Sequence, residues 1–187
     1  MTDTLAQAEA DKYAAVWRYD AYRKNAPGEK CVFDAFKALG IKEGDTLIDF
    51  GCGTGRPARA FQEAGIHVTA VDFAVNCLDE GVKVPFRQAC LWNLPDDMIA
   101  TYGFCTDVME HIPPEKVDAV LANIRAATTD GVFFQIATRP DTMGRLIGRT
   151  LHLTVKSADW WAHRLRLAWP NVTVKAGVGS MTAVCWP

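Results

Sequence analysis

The stretch Leu47-Ile48-Asp49-Phe50-Gly51-Cys52-Gly53-Thr54-Gly55-Arg56 constrains the fold of this chain more than any other. A short apolar run that stops at alternating glycines predicts a buried strand and a tight turn into a helix. Glycines there let the backbone turn sharply and let a ligand come close to main-chain atoms. A plain strand-to-helix turn uses glycine too, so the surroundings decide. The dinucleotide fingerprint G-x-G-x-x-G/A needs Gly or Ala at position 56, where Arg56 stands. The pattern is instead G-x-G-x-G with Asp49 two residues upstream, and a second carboxylate, Asp72, closes the next apolar run. A carboxylate at that place can bind both hydroxyls of a ribose, and Phe73 beside it can pack on a base.

Helical spacing covers 4–24, 29–39, 59–64, 74–80, 114–128 and 159–169, with Gly40 and Gly65 placed to end the second and third. Strand-like runs occupy 46–50, 67–71, 82–88, 101–106 and 131–137, and Pro85 inside one of them argues for an edge position. The last two strands, 172–175 and 181–186, are joined by Gly177-Val178-Gly179-Ser180, a turn short enough only for antiparallel neighbours. Alternating strands and helices predict a doubly wound α/β fold: seven strands, mostly parallel, ending in an antiparallel hairpin. A chain of 187 residues is expected to form one domain, 1–187.

Composition narrows the function. Twenty Lys+Arg against 22 Asp+Glu leave a net charge of −2, which disfavours nucleic acid held by a global basic field. Six cysteines (31, 52, 77, 90, 105, 185) make no C-x-x-C, and with the four histidines (67, 111, 152, 163) they show no zinc spacing. No metal is expected, and the cysteines read as reduced core thiols of a cytoplasmic protein. The acidic start has no apolar leader segment, and no run of about 18 apolar residues exists, so neither a secretory signal nor a membrane span is expected.

Taken together, these motifs make the chain resemble the class I S-adenosylmethionine-dependent methyltransferases. The resemblance covers roughly residues 28–137. Residues 48–55 match the first motif, Val71-Asp72 the second, 88–95 the third and Thr106-Asp107-Val108-Met109-Glu110-His111-Ile112-Pro113 the fourth. It implies a Rossmann-like fold, S-adenosyl-L-methionine as cofactor, and methyl transfer to an oxygen or nitrogen nucleophile. It places Gly51 and Gly53 near the methionine and ribose parts, with Cys52 and Gly55 completing the loop. Asp49 is expected on the methionine amino group, with the Thr106 carbonyl beside it, Asp72 on the ribose and Phe73 on the adenine. The third motif departs from the family: Cys90 stands where Asp often receives the adenine amino group. Cys is a poor acceptor, so adenine recognition is expected from backbone groups and packing by Leu91 or Trp92. The family also implies an N-terminal lid, here 1–27, with Tyr22 and Arg23 as its contacts.

His111 follows the fourth strand at the carboxyl edge of the sheet, where ligands of open α/β sheets bind. It is the candidate general base, the alternative being a structural histidine ahead of Pro113-Pro114. Segment 138–161 is expected on the substrate side, with Arg139, Arg145, His152 and Trp160 as substrate contacts. From 139 to 166 there are six Lys/Arg and two Asp/Glu, a local excess that suits an anionic group. The expected acceptor is a small polar, anionic metabolite or a glycan. A nucleic-acid-modifying enzyme and a cofactor binder without turnover are the competing readings; the chain lacks the N-P-P-[YFW] motif of base-methylating enzymes. Nothing in the sequence indicates an oligomeric state.

Overall fold

The structure, a computed structural model, describes residues 3–25 and 27–187. Met1, Thr2 and Ala26, all within the expected lid segment, lie outside the described residues. Seven strands form one sheet: β1 (Thr46–Phe50), β2 (His67–Asp72), β3 (Phe86–Gln88), β4 (Ala100–Thr106), β5 (Thr128–Ala137), β6 (Asn171–Ala176) and β7 (Ser180–Trp186). Their order is β3-β2-β1-β4-β5-β7-β6. The first five are parallel, and β7 inserts antiparallel between β5 and β6. This is the doubly wound sheet with a terminal hairpin that the sequence predicts.

Helices cover both faces, which is why the central strands are apolar throughout. Side chains alternate across a strand, and here neighbours feed opposite cores. Ile48, Phe50, Val71 and Phe134 pack with α5 (Val117–Ala126) and α6 (Ala158–Ala168). Leu47, Ala70, Phe104 and Phe133 pack with α3 (Val32–Leu39) and α4 (Arg56–Glu63). Helix α1 (Thr4–Val16) joins the two: Leu5 and Ala6 touch the first core, Tyr13 and Val16 belong to the second. It therefore runs across the sheet's edge rather than along one face.

Three expectations need correction. The helix expected over 4–24 breaks after Val16 and resumes as α2 (Asp20–Arg23). Trp17 and Tyr22 face one cleft and meet edge-on, ring centroids 4.6 Å apart. Five residues apart at 3.6 per turn they would point well away from each other on a continuous helix. No helix forms over 74–80. The Asp72 carboxylate takes the Ala74 N–H, and the Arg23 guanidinium takes the carbonyls of Asn76, Cys77 and Leu78, so the groups a helix would pair internally are paired elsewhere. The strand expected over 82–88 pairs only from Phe86, after Pro85, at the sheet edge as anticipated. Among the described residues, no helix is long and apolar enough to cross a membrane.

Candidate functional site

Every loop leaving the carboxyl ends of β1, β2, β4 and β5 borders one cleft, and the N-terminal segment roofs it. The glycine turn forms its floor. Gly51 and Gly53 adopt φ of +70° and +49°, in the left-handed region open to glycine at little cost. A Cβ on Gly51 would lie 2.4 Å from Val108 Cγ2, and one on Gly53 would lie 2.9 Å from Trp17 Cη2. The amides of Gly51 and Cys52 both donate to the Val71 carbonyl, at 2.8 and 2.9 Å, which ties the turn to β2.

Two connected cavities result. One, of about 130 Å³, is lined by Asp49, Gly51, Cys52, Gly53, Thr106, Tyr22, His111, Arg139 and His152. The other, of about 80 Å³, is lined by Asp72, Phe73, Leu91 and Trp92, and shares Gly51, Tyr22 and His111 with the first. Thirteen of the expected site residues thus meet in one place. The other four, Gly55, Arg23, Arg145 and Trp160, are absent from both linings. Gly55 is crowded by Leu78 and Val82, so its lack of a side chain serves packing. Arg23 ties α2 to the 76–79 loop, reaching Asp79 at 3.1 Å, and Asp79 also holds Arg56. Trp160 instead has the Arg164 guanidinium 4.9 Å and the Lys156 ammonium 5.8 Å from its ring centroid.

The carboxyl groups are unusual. Asp49 is buried, its Oδ2 has no partner among the described residues, and burial pushes its pKa up to about 8. Asp72 accepts from Gly53 N at 3.1 Å and Ala74 N at 2.9 Å; burial still raises it to about 6 against those donors. Glu110 is fully buried with neither oxygen partnered among the described residues, and burial with nearby Asp107 raises it well above the usual range. Asp107, at the mouth between both cavities, has φ +51°, alone among the described non-glycine residues in being positive.

His111 Nδ1 lies 2.6 Å from Tyr13 Oη and 3.1 Å from the Leu151 carbonyl, and Tyr13 Oη lies 3.3 Å from the same carbonyl. All three contacts are satisfied together only with the proton on Nδ1, because a carbonyl can only accept. Nε2 then carries the free lone pair. Burial, with His152 nearby, lowers the His111 pKa to about 3, so the ring is neutral at neutral pH. The 138–156 segment is held in place from both sides. Asp141 accepts from Gly144 N and Leu151 N, and Thr154 bonds the carbonyls of Glu110 and Ile112. Arg139 donates to the Gly179 carbonyl and has no carboxylate partner among the described residues.

No site role is read from the sequence for Tyr13, Trp17, Asp107 or Glu9, which the structure brings to the cleft. Local pattern carries no signal for them, because each reaches the cleft through the path of the chain.

A family model described as a methyltransferase domain matches residues 7–175. The Bordetella avium ubiquinone biosynthesis O-methyltransferase is 31% identical over 84 residues, covering 40% of this chain and 35% of that protein. The chain spans between about a third and just over half the length of the curated relatives it matches. The solved DhpI–SAH complex superposes with a TM-score of 0.74 at 20% identity, over 100% of this chain and 98% of that one. The Burkholderia thailandensis 1,6-didemethyltoxoflavin-N1-methyltransferase, solved with its namesake ligand and S-adenosylhomocysteine, gives 0.69 at 19%, over 100% and 92%. These two likenesses concern the fold, whereas the family model spans most of the chain. A glycine turn under a roofed cleft at the carboxyl edge of a β3-β2-β1-β4-β5-β7-β6 sheet, together with that match, places the chain in the methyltransferase-domain family.

Proposed function

We propose that this protein is an S-adenosylmethionine-dependent methyltransferase that methylates an oxygen or nitrogen of a small polar, anionic metabolite or glycan. The observation that carries the reading is Asp49: a buried carboxyl at the floor of the larger cavity, its Oδ2 without a partner among the described residues, beside two glycines in the left-handed region. A buried carboxyl without a partner is costly, and the ammonium of a methionine moiety would satisfy it. The Thr54 hydroxyl, also buried and without a partner among the described residues, lines the same cavity. Asp72, Phe73 and Trp92 suit a ribose and a purine in the smaller cavity. The residues therefore fit the cofactor, which when bound supplies a sulfonium methyl that is already electrophilic.

The protein's task is then to hold a nucleophile, exclude water and accept a proton. His111 Nε2 is the acceptor atom for that proton. Tyr13 and the Leu151 carbonyl fix the ring through Nδ1, and they stabilise the imidazolium once it forms. Trp17 and Tyr22 roof the cleft against water. The unpaired Arg139 guanidinium, on the acceptor side, suits a phosphate or carboxylate. Six cysteines, all free thiols, fit a reducing compartment and support a cytoplasmic location.

Calorimetry with S-adenosylhomocysteine tests the reading. Wild type should bind in the micromolar range, and Asp72→Ala should weaken binding at least about tenfold through loss of a charged hydrogen-bond acceptor. His111→Ala should lower turnover of any acceptor by about a hundredfold or more, far more than it weakens this binding. Absence of binding to well-folded wild type would overturn the reading.

A further inference from the structure

The third motif leaves a gap, since Cys90 cannot take the place of a carboxylate that receives the adenine amino group. Cys90 does not line the smaller cavity, although its neighbours Ala89 and Leu91 do. A carboxylate is nevertheless present there. Glu9 lines that cavity from α1, and its side chain is 9% exposed. The geometry points to Glu9 as the residue that receives the purine 6-amino group, supplied by the lid helix in place of the sheet-borne acid.

Three observations converge on this role. Glu9 is held by an ion pair with Lys12, whose own side chain is 2% exposed, so the carboxylate keeps one orientation and its charge is offset locally. A buried ion pair of this kind does not need a ligand for neutrality, yet a carboxylate with one oxygen on Lys12 keeps lone pairs for a further donor. Helix α1 is also latched to the purine wall itself. Asp3, its N-cap, accepts from the amides of Leu5 and Ala6 with one oxygen and from Trp92 Nε1 and Asn93 Nδ2 with the other, at 2.9 and 3.0 Å. That latch sets where Glu9, two turns further along, enters the cavity. Finally, of the other carboxylates lining the cavity, Asp72 already accepts two backbone amides next to the ribose position, and Asp107 sits at the mouth shared with the larger cavity. Glu9 is left as the acceptor on the helix that covers the purine.

The inference rests on the cofactor reading above, and the test separates the two. The ligands are S-adenosylhomocysteine and its analogue with hydrogen in place of the 6-amino group, titrated calorimetrically. Wild type should prefer the amino ligand by about tenfold or more, the range of a hydrogen bond to a charged group. The double variant Glu9→Leu/Lys12→Met removes both charges, so neither is left buried alone, and should bind the two ligands within about twofold of each other. A general loosening of the lid would weaken both ligands alike and leave the ratio unchanged. Glu9→Gln/Lys12→Met keeps the shape, leaves no charge buried alone and serves if the first double variant does not fold; its preference should drop at least about threefold. Equal binding of both ligands by wild type, or a preference that survives the substitutions, overturns the role of Glu9 alone. Binding of neither ligand by wild type overturns the cofactor reading, and this role with it.

Discussion

Asp49 carries the sharpest consequence at the scale of a single residue. Burial pushes its pKa up to about 8, so it is protonated at neutral pH. Under the proposed reading, an ammonium placed against it favours the charged form, so binding must expel the proton. S-adenosylhomocysteine titrated near pH 7 in buffers of different ionisation enthalpy should therefore release close to one proton, and about none well above pH 8. Proton-neutral binding at pH 7 would mean that Asp49 is not the ammonium's partner. His111 shows the opposite shift by the same cause: burial disfavours its charged form and keeps it a neutral acceptor. Both groups are tuned by being closed off from water, which the residues themselves do not announce.

At the scale of elements, the glycine turn and the β4 loop are built against one another. Gly51→Ala forces an L-residue into φ +70° and drives its Cβ into Val108, 2.4 Å from Cγ2. The expected loss is about 2 kcal/mol or more, combining backbone strain and overpacking. Adding Val108→Ala should recover part of it, because the clash is relieved and the dihedral strain is not. Chemical denaturation of both variants measures this, and full recovery would show that strain contributes nothing. The motif that spelled out this turn was legible because its glycines encode a local backbone geometry. The break between α1 and α2 was not legible, since Trp17 and Tyr22 obey the cleft they fill and override a good helical pattern. The same holds for 74–80, where Arg23, more than fifty residues upstream, takes the carbonyls.

For the whole molecule, the two shifts pull stability in opposite directions with pH. Asp49 lies above its ordinary 3.8, so the folded state holds an extra proton between about pH 4 and 8, and stability falls as pH rises through that window. His111 lies below its ordinary 6.5, so the unfolded chain holds the extra proton between about pH 3 and 6.5, and stability falls as pH drops through it. Between about pH 4 and 6.5 His111 opposes Asp49 and Asp72, whose raised carboxyl acts in the same sense as Asp49; above that, Asp49 and the raised Glu110 both lower stability as pH rises. Asn at this position cannot ionise, so Asp49→Asn should raise the melting temperature of the ligand-free protein near pH 8.5 by more than at pH 5, at about 2–4 °C per kcal/mol recovered. A lower melting temperature near pH 8.5 would show that the carboxylate has a favourable partner. The sequence by itself determined the alternating sheet, the edge at Pro85, the terminal hairpin and the glycine turn, because alternation, glycine and proline act through the local backbone. It also marked Asp49, Asp72 and His111, whose place at strand ends follows from the strands. Tertiary structure alone decided the rest: which arginines reach the cleft, the Tyr13–His111–Leu151 contacts, and the arrival of Glu9 at the smaller cavity. Those depend on long-range packing of α1 across the sheet edge, and separations of up to 138 residues leave no periodic trace in the chain.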